Sequence, residues 1–253
     1  NRRKFIICVS ILTGMSTAGH IKSSNSYRHE WADQEQLLRQ FTWRVPSLEA
    51  GTIVWLQSDV WRKRHPAAYT YAMPVNLAYA PDDRSPDLSF WVLPLEERFK
   101  EVELLEMHQA VFSHRERNLQ FEGMLRQNIV VWHSPPSCLR VLNKNSQIHH
   151  PINYWVDLAK EYSDIDLISN DPRITRYLPE SIFGEETQND WCYYFQKAEL
   201  AEQFHDWGRI VQLGDEVRSK GLLPEDATEW RPFIKGYKKM GRENSAELLS
   251  EMD

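Results

Sequence analysis

Side chains able to do chemistry cluster most densely at His133-Ser134-Pro135-Pro136-Ser137-Cys138, where a base type, two hydroxyls and a thiol fall within six residues. A serine nucleophile needs a neighbouring base and a small-residue elbow that exposes its hydroxyl. Here prolines take the elbow's place, so the segment reads as a stiffened turn, not as a nucleophile. The nine histidines do not add a second candidate. His149 and His150 are adjacent and diverge on any regular element, while His108 and His114 are six apart and share no helix face well. HExxH is absent, and no Cys/His cluster has metal spacing, so neither zinc nor another metal is expected. Asp82-Asp83 and Glu185-Glu186 pair carboxylates in turn-like surroundings that solvation explains. Without GxGxxG or a Walker sequence, nucleotide binding has no support, and no cofactor is expected.

Cysteine chemistry depends on compartment, and the N-terminus bears on that. Arg2-Arg3-Lys4 runs into Phe5–Gly19, fifteen residues without a charge. This is short of the roughly 20 apolar residues that span a bilayer as a helix. Three readings stay open: a transmembrane helix with its basic flank in the cytoplasm, a signal peptide with Ser16, Thr17 and Ala18 before the cleavage point, or a buried segment of a soluble protein. Both membrane readings place everything after about residue 21 outside the cytoplasm. The first residue is Asn1, so the expectation is a fragment or a processed chain. In an oxidising compartment Cys138 and Cys192 form a plausible disulfide pair, against the alternative of two buried free thiols.

The elements that must position these groups follow from pattern. Ile129–Trp132 is a β-branched and aromatic run of the kind that forms a buried central strand. Pro135-Pro136 cuts it off, and Cys138–Leu142 resumes the apolar register. Thr52–Gln57 and Leu88–Leu93 are two further strands, with a helix over Ala67–Tyr79 between them that carries Pro74. Strand, helix and strand over about forty residues is the size of a βαβ unit. Arg117–Glu122 is expected to pair with the central strand through a turn at Gly123. Glu96–Phe112 reads as helix or loop, Ile152–Tyr162 as an amphipathic helix and Ile165–Ser169 as a short strand. The last sixty residues change character. Trp191–Arg218 breaks around His205–Gly208 and Arg231–Met252 breaks at Gly241–Asn244, which makes two helical hairpins of tetratricopeptide-like form.

The expected fold class is therefore α/β: a small Rossmann-like layered sheet with flanking helices, followed by tetratricopeptide-like hairpins. The segments are a transmembrane or signal-anchor helix at 1–21, a connecting helix at 22–47, an α/β domain at 48–190 and a helical domain at 191–253. A net charge of −6 with 30 basic residues against 36 acidic ones describes an ordinary surface and gives no reason to expect nucleic acid. Ten each of Trp, Tyr and Phe point first to core packing. The residues singled out as a candidate binding surface are Trp132, His133, Trp191, Tyr194 and Trp207.

The order of a basic-flanked apolar segment, Trp43-Arg44-Val45-Pro46 with Glu49-Ala50-Gly51-Thr52, then Ser134–Leu142, then Trp191-Cys192-Tyr193-Tyr194-Phe195 with Lys197-Ala198 and Leu200-Ala201, resembles the C-terminal region of large bacterial polytopic membrane proteins. Some of these are glycosyltransferase-like, of the dolichyl-phosphate-mannose protein mannosyltransferase type. The resemblance implies an extracytoplasmic accessory or binding domain whose parent transfers sugar from a lipid-linked donor, with a membrane, a protein or a lipid-linked sugar as partner. The catalytic acid of that class would lie upstream of Asn1, so no catalytic residue carries over. The other class is a non-enzymatic membrane-anchored interaction or assembly module.

Overall fold

The structure is a computed structural model that describes all residues except 1, 61–68, 102–109, 147–152, 172–177, 187–189 and 251–253. His108, the His149-His150 pair and the middle of Glu96–Phe112 lie outside the described residues. Two units are described separately, residues 1–37 and 38–253.

The first unit is the larger part of one helix, α1, Arg2–Arg44. At 43 residues the whole helix is about 65 Å long. The apolar segment to residue 21 and the connecting helix from 22 lie on this one helix, which runs through without a break. No Pro interrupts it, and Gly14 and Gly19 lie in its middle with nothing near them, so a continuous helix costs only their intrinsic propensity. It is long and apolar enough to cross a membrane, and its most apolar stretch buries nothing within the protein. Phe5, Ile6, Leu12 and Met15 are more than half exposed.

The second unit is an α/β layer joined to a helical tail. Its main sheet has the order β3 (Trp91–Pro94), β2 (Ile53–Ser58), β6 (Asn128–His133), β7 (Arg140–Leu142). β2 is parallel to β3 and to β6, whereas β7 returns antiparallel to β6. Every residue of β2 and β6 is buried, as strands covered on both faces must be. Trp55, Trp91, Leu95, Phe99 and Val130 are among the residues that fill the sheet's core, and Trp55 and Phe99 meet edge to face at 5.1 Å. The helix between β2 and β3 is α2, Tyr69–Tyr79, with Pro74 inside it. Asn76 on α2 locks it to the strand: its Nδ2 donates to Ala72 O and Phe90 O, both at 2.8 Å, and its Oδ1 accepts from Ser89 N and Phe90 N.

Arg117–Glu122 does not pair with the central strand. β5 (Leu119–Met124) pairs with β4 (Val111–Glu116) in a separate antiparallel ribbon. Both edges of β6 are already occupied, by β2 and β7, so no ladder is left for β5. Instead Phe121 buries its ring against the sheet, stacked on Trp91 at 6.1 Å. β1 (Ser47–Leu48) and β8 (Ile168–Ser169) form a second small antiparallel pair. The amphipathic helix α4, Tyr154–Ala159, passes into a 3₁₀ turn at Lys160–Tyr162. α3 (Leu95–Arg98) and α5 (Glu180–Phe183) are single turns.

The tail is α6 (Trp191–Gln203), α7 (Trp207–Ser219), α8 (Arg231–Lys239) and α9 (Glu243–Ser250). The breaks fall where the sequence places them. Asp190 and Asp206 cap α6 and α7, accepting from the amides of Cys192 and Arg209. Phe195, Ile210, Leu213, Val217, Phe233 and Tyr237 are buried to the last percent and share one core with Trp43 and Cys138. α7 and α8 approach closely through Gly236, where an added Cβ would lie 2.9 Å from the Cβ of Ile210. Gly236→Ala is expected to destabilise the unit by about 1–2 kcal/mol, because overpacking outweighs the gain in helix propensity. A chemical denaturation midpoint at or above that of the parent would show that the two helices separate at no cost.

The layer and the tail meet at Cys138-Leu139. Cys138 is bonded to Cys192 on α6, with an S–S distance of 2.06 Å and a Cα separation of 5.4 Å. Leu139 N donates to Gln40 Oε1 at 2.6 Å, and Leu139 O accepts from Gln196 Nε2. Glu229, wholly buried, accepts from Cys138 N at 2.7 Å and from Trp191 Nε1 at 2.6 Å. Burial raises the Glu229 carboxyl to about 7, against the lowering effect of its hydrogen bonds and of Arg140.

Candidate functional site

Two places collect polar groups. The first is the carboxyl edge of the parallel strands. The chain leaves β2 for β3 on one side and comes back to β6 on the other, so the order reverses between β2 and β6. In open α/β sheets such a reversal opens a crevice at the strand ends. Ser58 and Asp59 end β2, and His133 and Ser134 end β6. Ser134 Oγ donates to Asp59 Oδ2 at 2.5 Å, while His133 Nδ1 stands 3.4 Å from Ser58 Oγ. His133 is 2% exposed, and burial lowers its pKa to about 4. Ser134 therefore has a carboxylate as its partner, not the imidazole, and the neutral His133 is packed away. Among the described residues no serine–histidine pair is assembled there.

The second is a cleft of about 410 Å³, within the range of small-molecule sites. Arg44 at the end of α1, Arg140 on β7, and Glu199, Glu202 and Gln203 on α6 line it, with Arg231 and Lys235 from α8 and Trp207 from α7. The fold builds it at the meeting of layer and tail: β7 supplies one wall, the first helical hairpin another, and α8 a third. Glu199 and Gln203 are one turn apart, so they share a face of α6.

The polar groups there are incompletely satisfied. Arg44 is 3% exposed, and its Nε and Nη1 are buried without a hydrogen-bond partner. Its closest carboxylate oxygen is Glu199 Oε2, 3.6 Å from Nε, an ion pair without a hydrogen bond. Burial lowers the Arg44 pKa and raises that of Glu199, while each opposes the other's shift. Arg140 donates to Thr228 Oγ1 at 2.7 Å and lies 3.4 Å from Asp226, but its Nε is also unpartnered. Gln203 Nε2 is tied to Ile165 O at 2.7 Å, which leaves its buried Oε1 without a donor. Buried polar atoms of this kind are satisfied in most proteins by protein, water or ligand.

His205, on the rim, adds a local oddity. After α7 and α8 the chain turns out through Gly221 and Gly241, both at positive φ. After α6 the same place is held by His205 at φ 57. The three turns share one hydrogen-bond pattern: His205 N reaches Glu202 O and Asp206 N reaches Ala201 O, as the amides at Gly221–Leu222 and Gly241–Arg242 do. A non-glycine residue there costs about 1 kcal/mol or more, and it sets an imidazole at the edge of the cleft.

Of the residues anticipated as a binding surface, Trp132, His133, Trp191 and Tyr194 are buried, at 6%, 2%, 6% and 1% exposure. They build core, and Trp191 stacks edge to face with Trp230 at 4.5 Å. Trp207 lines the cleft, with Lys235 and Lys239 over its ring at 5.7 and 5.9 Å. Arg44, Arg140, Glu199 and Gln203 are the groups that pattern reading passed over. Their sequence signal is faint: a carboxylate and an amide four apart on a helix, and one Arg inside a short apolar strand. Among the described residues no group of three or more His, Cys, Asp or Glu side chains is placed to hold a metal ion. Protein-family models, curated proteins and solved structures offer no match to the chain.

Proposed function

We propose that the chain is an extracytoplasmic accessory or binding domain of a membrane protein, anchored through α1, with the Arg44–Arg140 cleft as its ligand site. The observation that carries the reading is the cleft itself: a cavity lined by two buried arginines, of which Arg44 Nε and Nη1 and Arg140 Nε have no hydrogen-bond acceptor within the protein. The apolar, unburied first turns of α1 support the anchor. The Cys138–Cys192 bond suits an oxidising compartment. In this reading the layer is a small Rossmann-like sheet, supported by its parallel strands and order reversal, and α6 to α9 are tetratricopeptide-like hairpins. The parent is of the kind that transfers sugar from a lipid-linked donor, and the domain presents or holds a ligand for it.

A second reading, a non-enzymatic assembly module, draws on the paired hairpins, since stacked helical pairs commonly serve as protein-binding surfaces. One experiment addresses anchor and compartment together. In a Cys8→Ser background, Ser219→Cys places a thiol at an exposed site on α7. Expressed in a bacterial host, the protein is expected in carbonate-washed membranes, with that thiol labelled on intact spheroplasts by a membrane-impermeant maleimide. Labelling only after lysis, or recovery in the soluble fraction, would refute it.

A further inference from the structure

We infer that the cleft takes a saccharide bearing one anionic group, a phosphate or a carboxylate; this deepens, and rests on, the binding-domain reading. Charge is the first reason. In a chain of net charge −6, the cleft is lined by the cations Arg44, Arg140, Arg231 and Lys235 against the carboxylates Glu199 and Glu202. Lys235 donates to Glu202 at 2.5 Å, so that pair offsets itself and leaves three arginines against Glu199 in the lining. The second reason is the pattern of unmet hydrogen bonds. Arg44 Nε and Nη1 and Arg140 Nε are donors without acceptors, on residues only 3% and 7% exposed. A charged acceptor forms the strongest hydrogen bonds with guanidinium groups.

Gln203 Oε1 and Glu199 Oε2 are the complementary case, buried acceptors without a hydrogen-bond donor. A fully ionised inorganic anion offers acceptors alone, inorganic phosphate adds at most one or two O–H donors on a single centre, and an ammonium group offers donors alone. Hydroxyl groups on a small frame carrying one anion offer both, and they match the amides of Asn143 and Asn145 on the same wall. A cleft of about 410 Å³ accommodates a ligand of this size.

The test uses the full chain in detergent micelles, titrated calorimetrically with glucose 1-phosphate and with glucuronate. Glucose, inorganic phosphate and glutamate serve as comparisons. At least one anionic sugar is expected to bind about tenfold more tightly than both glucose and inorganic phosphate, as loss of one charge-assisted contact implies. Arg44→Met is expected to abolish that preference. Because a buried arginine beside Glu199 also matters for folding, Arg231→Gln on the rim is the second variant, expected to weaken anionic sugars severalfold and leave glucose unchanged. Affinity for glucose equal to that for both anionic sugars overturns the anionic part, and inorganic phosphate binding as tightly as the better anionic sugar overturns the saccharide part. Tightest binding by glutamate, or no binding by any probe, overturns the inference altogether. The labelling of Ser219→Cys is scored independently of all these titrations, so failure of the membrane-domain reading is seen apart from failure here.

Discussion

Cys138→Ala combined with Cys192→Ala is expected to lower the stability of the folded unit by about 4 kcal/mol. The bond closes a loop with a sequence separation of 54 residues, and the chain-entropy estimate for a loop of that length is about 4 kcal/mol. The loop contains β7, α4, β8 and α5, so without the bond the unfolded chain regains freedom across more than a third of the α/β layer. The native side loses little else, because Leu139 stays held by Gln40 and Gln196, and Cys138 N by Glu229. Calorimetry should show a melting temperature lower by roughly 10 °C for a unit of this size. Mass spectrometry of unreduced peptides should link Cys138 to Cys192 in the parent. An unchanged melting temperature in the double variant would mean that the hydrogen bonds alone restrict this loop. Free, alkylatable thiols at both positions would remove the bond from the account.

The second large effect is a pH dependence hidden by cancellation. Burial raises Glu229 from 4.5 to about 7 and lowers His133 from 6.5 to about 4. Between pH 4.5 and 7 the folded state keeps a proton on Glu229 that the unfolded state has lost, so this group makes stability fall as pH rises. Between pH 4 and 6.5 the unfolded state carries a proton on His133 that the folded state refuses, so this group makes stability rise with pH. Each amounts to about 3 kcal/mol over its window. Over their common range, pH 4.5 to 6.5, the slopes of these two groups oppose and largely cancel. Glu229→Gln is expected to expose the histidine slope, with stability climbing by about 3 kcal/mol from pH 4 to 6.5. His133→Asn is expected to expose the opposite slope, from pH 4.5 to 7. Urea midpoints at half-unit pH intervals would decide it. Parallel profiles for parent and both variants would show that the two groups titrate alike in the folded and unfolded chains.

The main strands and the helix breaks were legible because each has a local cause, whereas the cysteines left a disulfide and two free thiols both open. Ile129–Trp132 has the β-branched and aromatic run of a buried strand, and the stretches His205–Gly208 and Gly241–Asn244 interrupt runs of good helix formers. The partner of Arg117–Glu122 was not legible, since strand pairing is settled by which edges remain free. β6 had none.

The site divides in the same way. Trp132, His133, Trp191 and Tyr194 announce themselves by residue type, yet type does not say whether a ring faces a core or a cleft, and these four face core. Arg44, Arg140, Glu199 and Gln203 are ordinary in sequence, and their interest arises only where α1, β7 and α6 meet. By itself the sequence determined an apolar leading segment, an α/β layer around Ile129–Trp132, helical hairpins behind it and a pair of cysteines. Those properties come from local periodicity and composition. Only the tertiary structure decided the strand order, the junction at Cys138-Leu139 and the cleft, because each depends on which distant residues share a solvent-excluded volume, and burial there determines which polar atoms are left without partners.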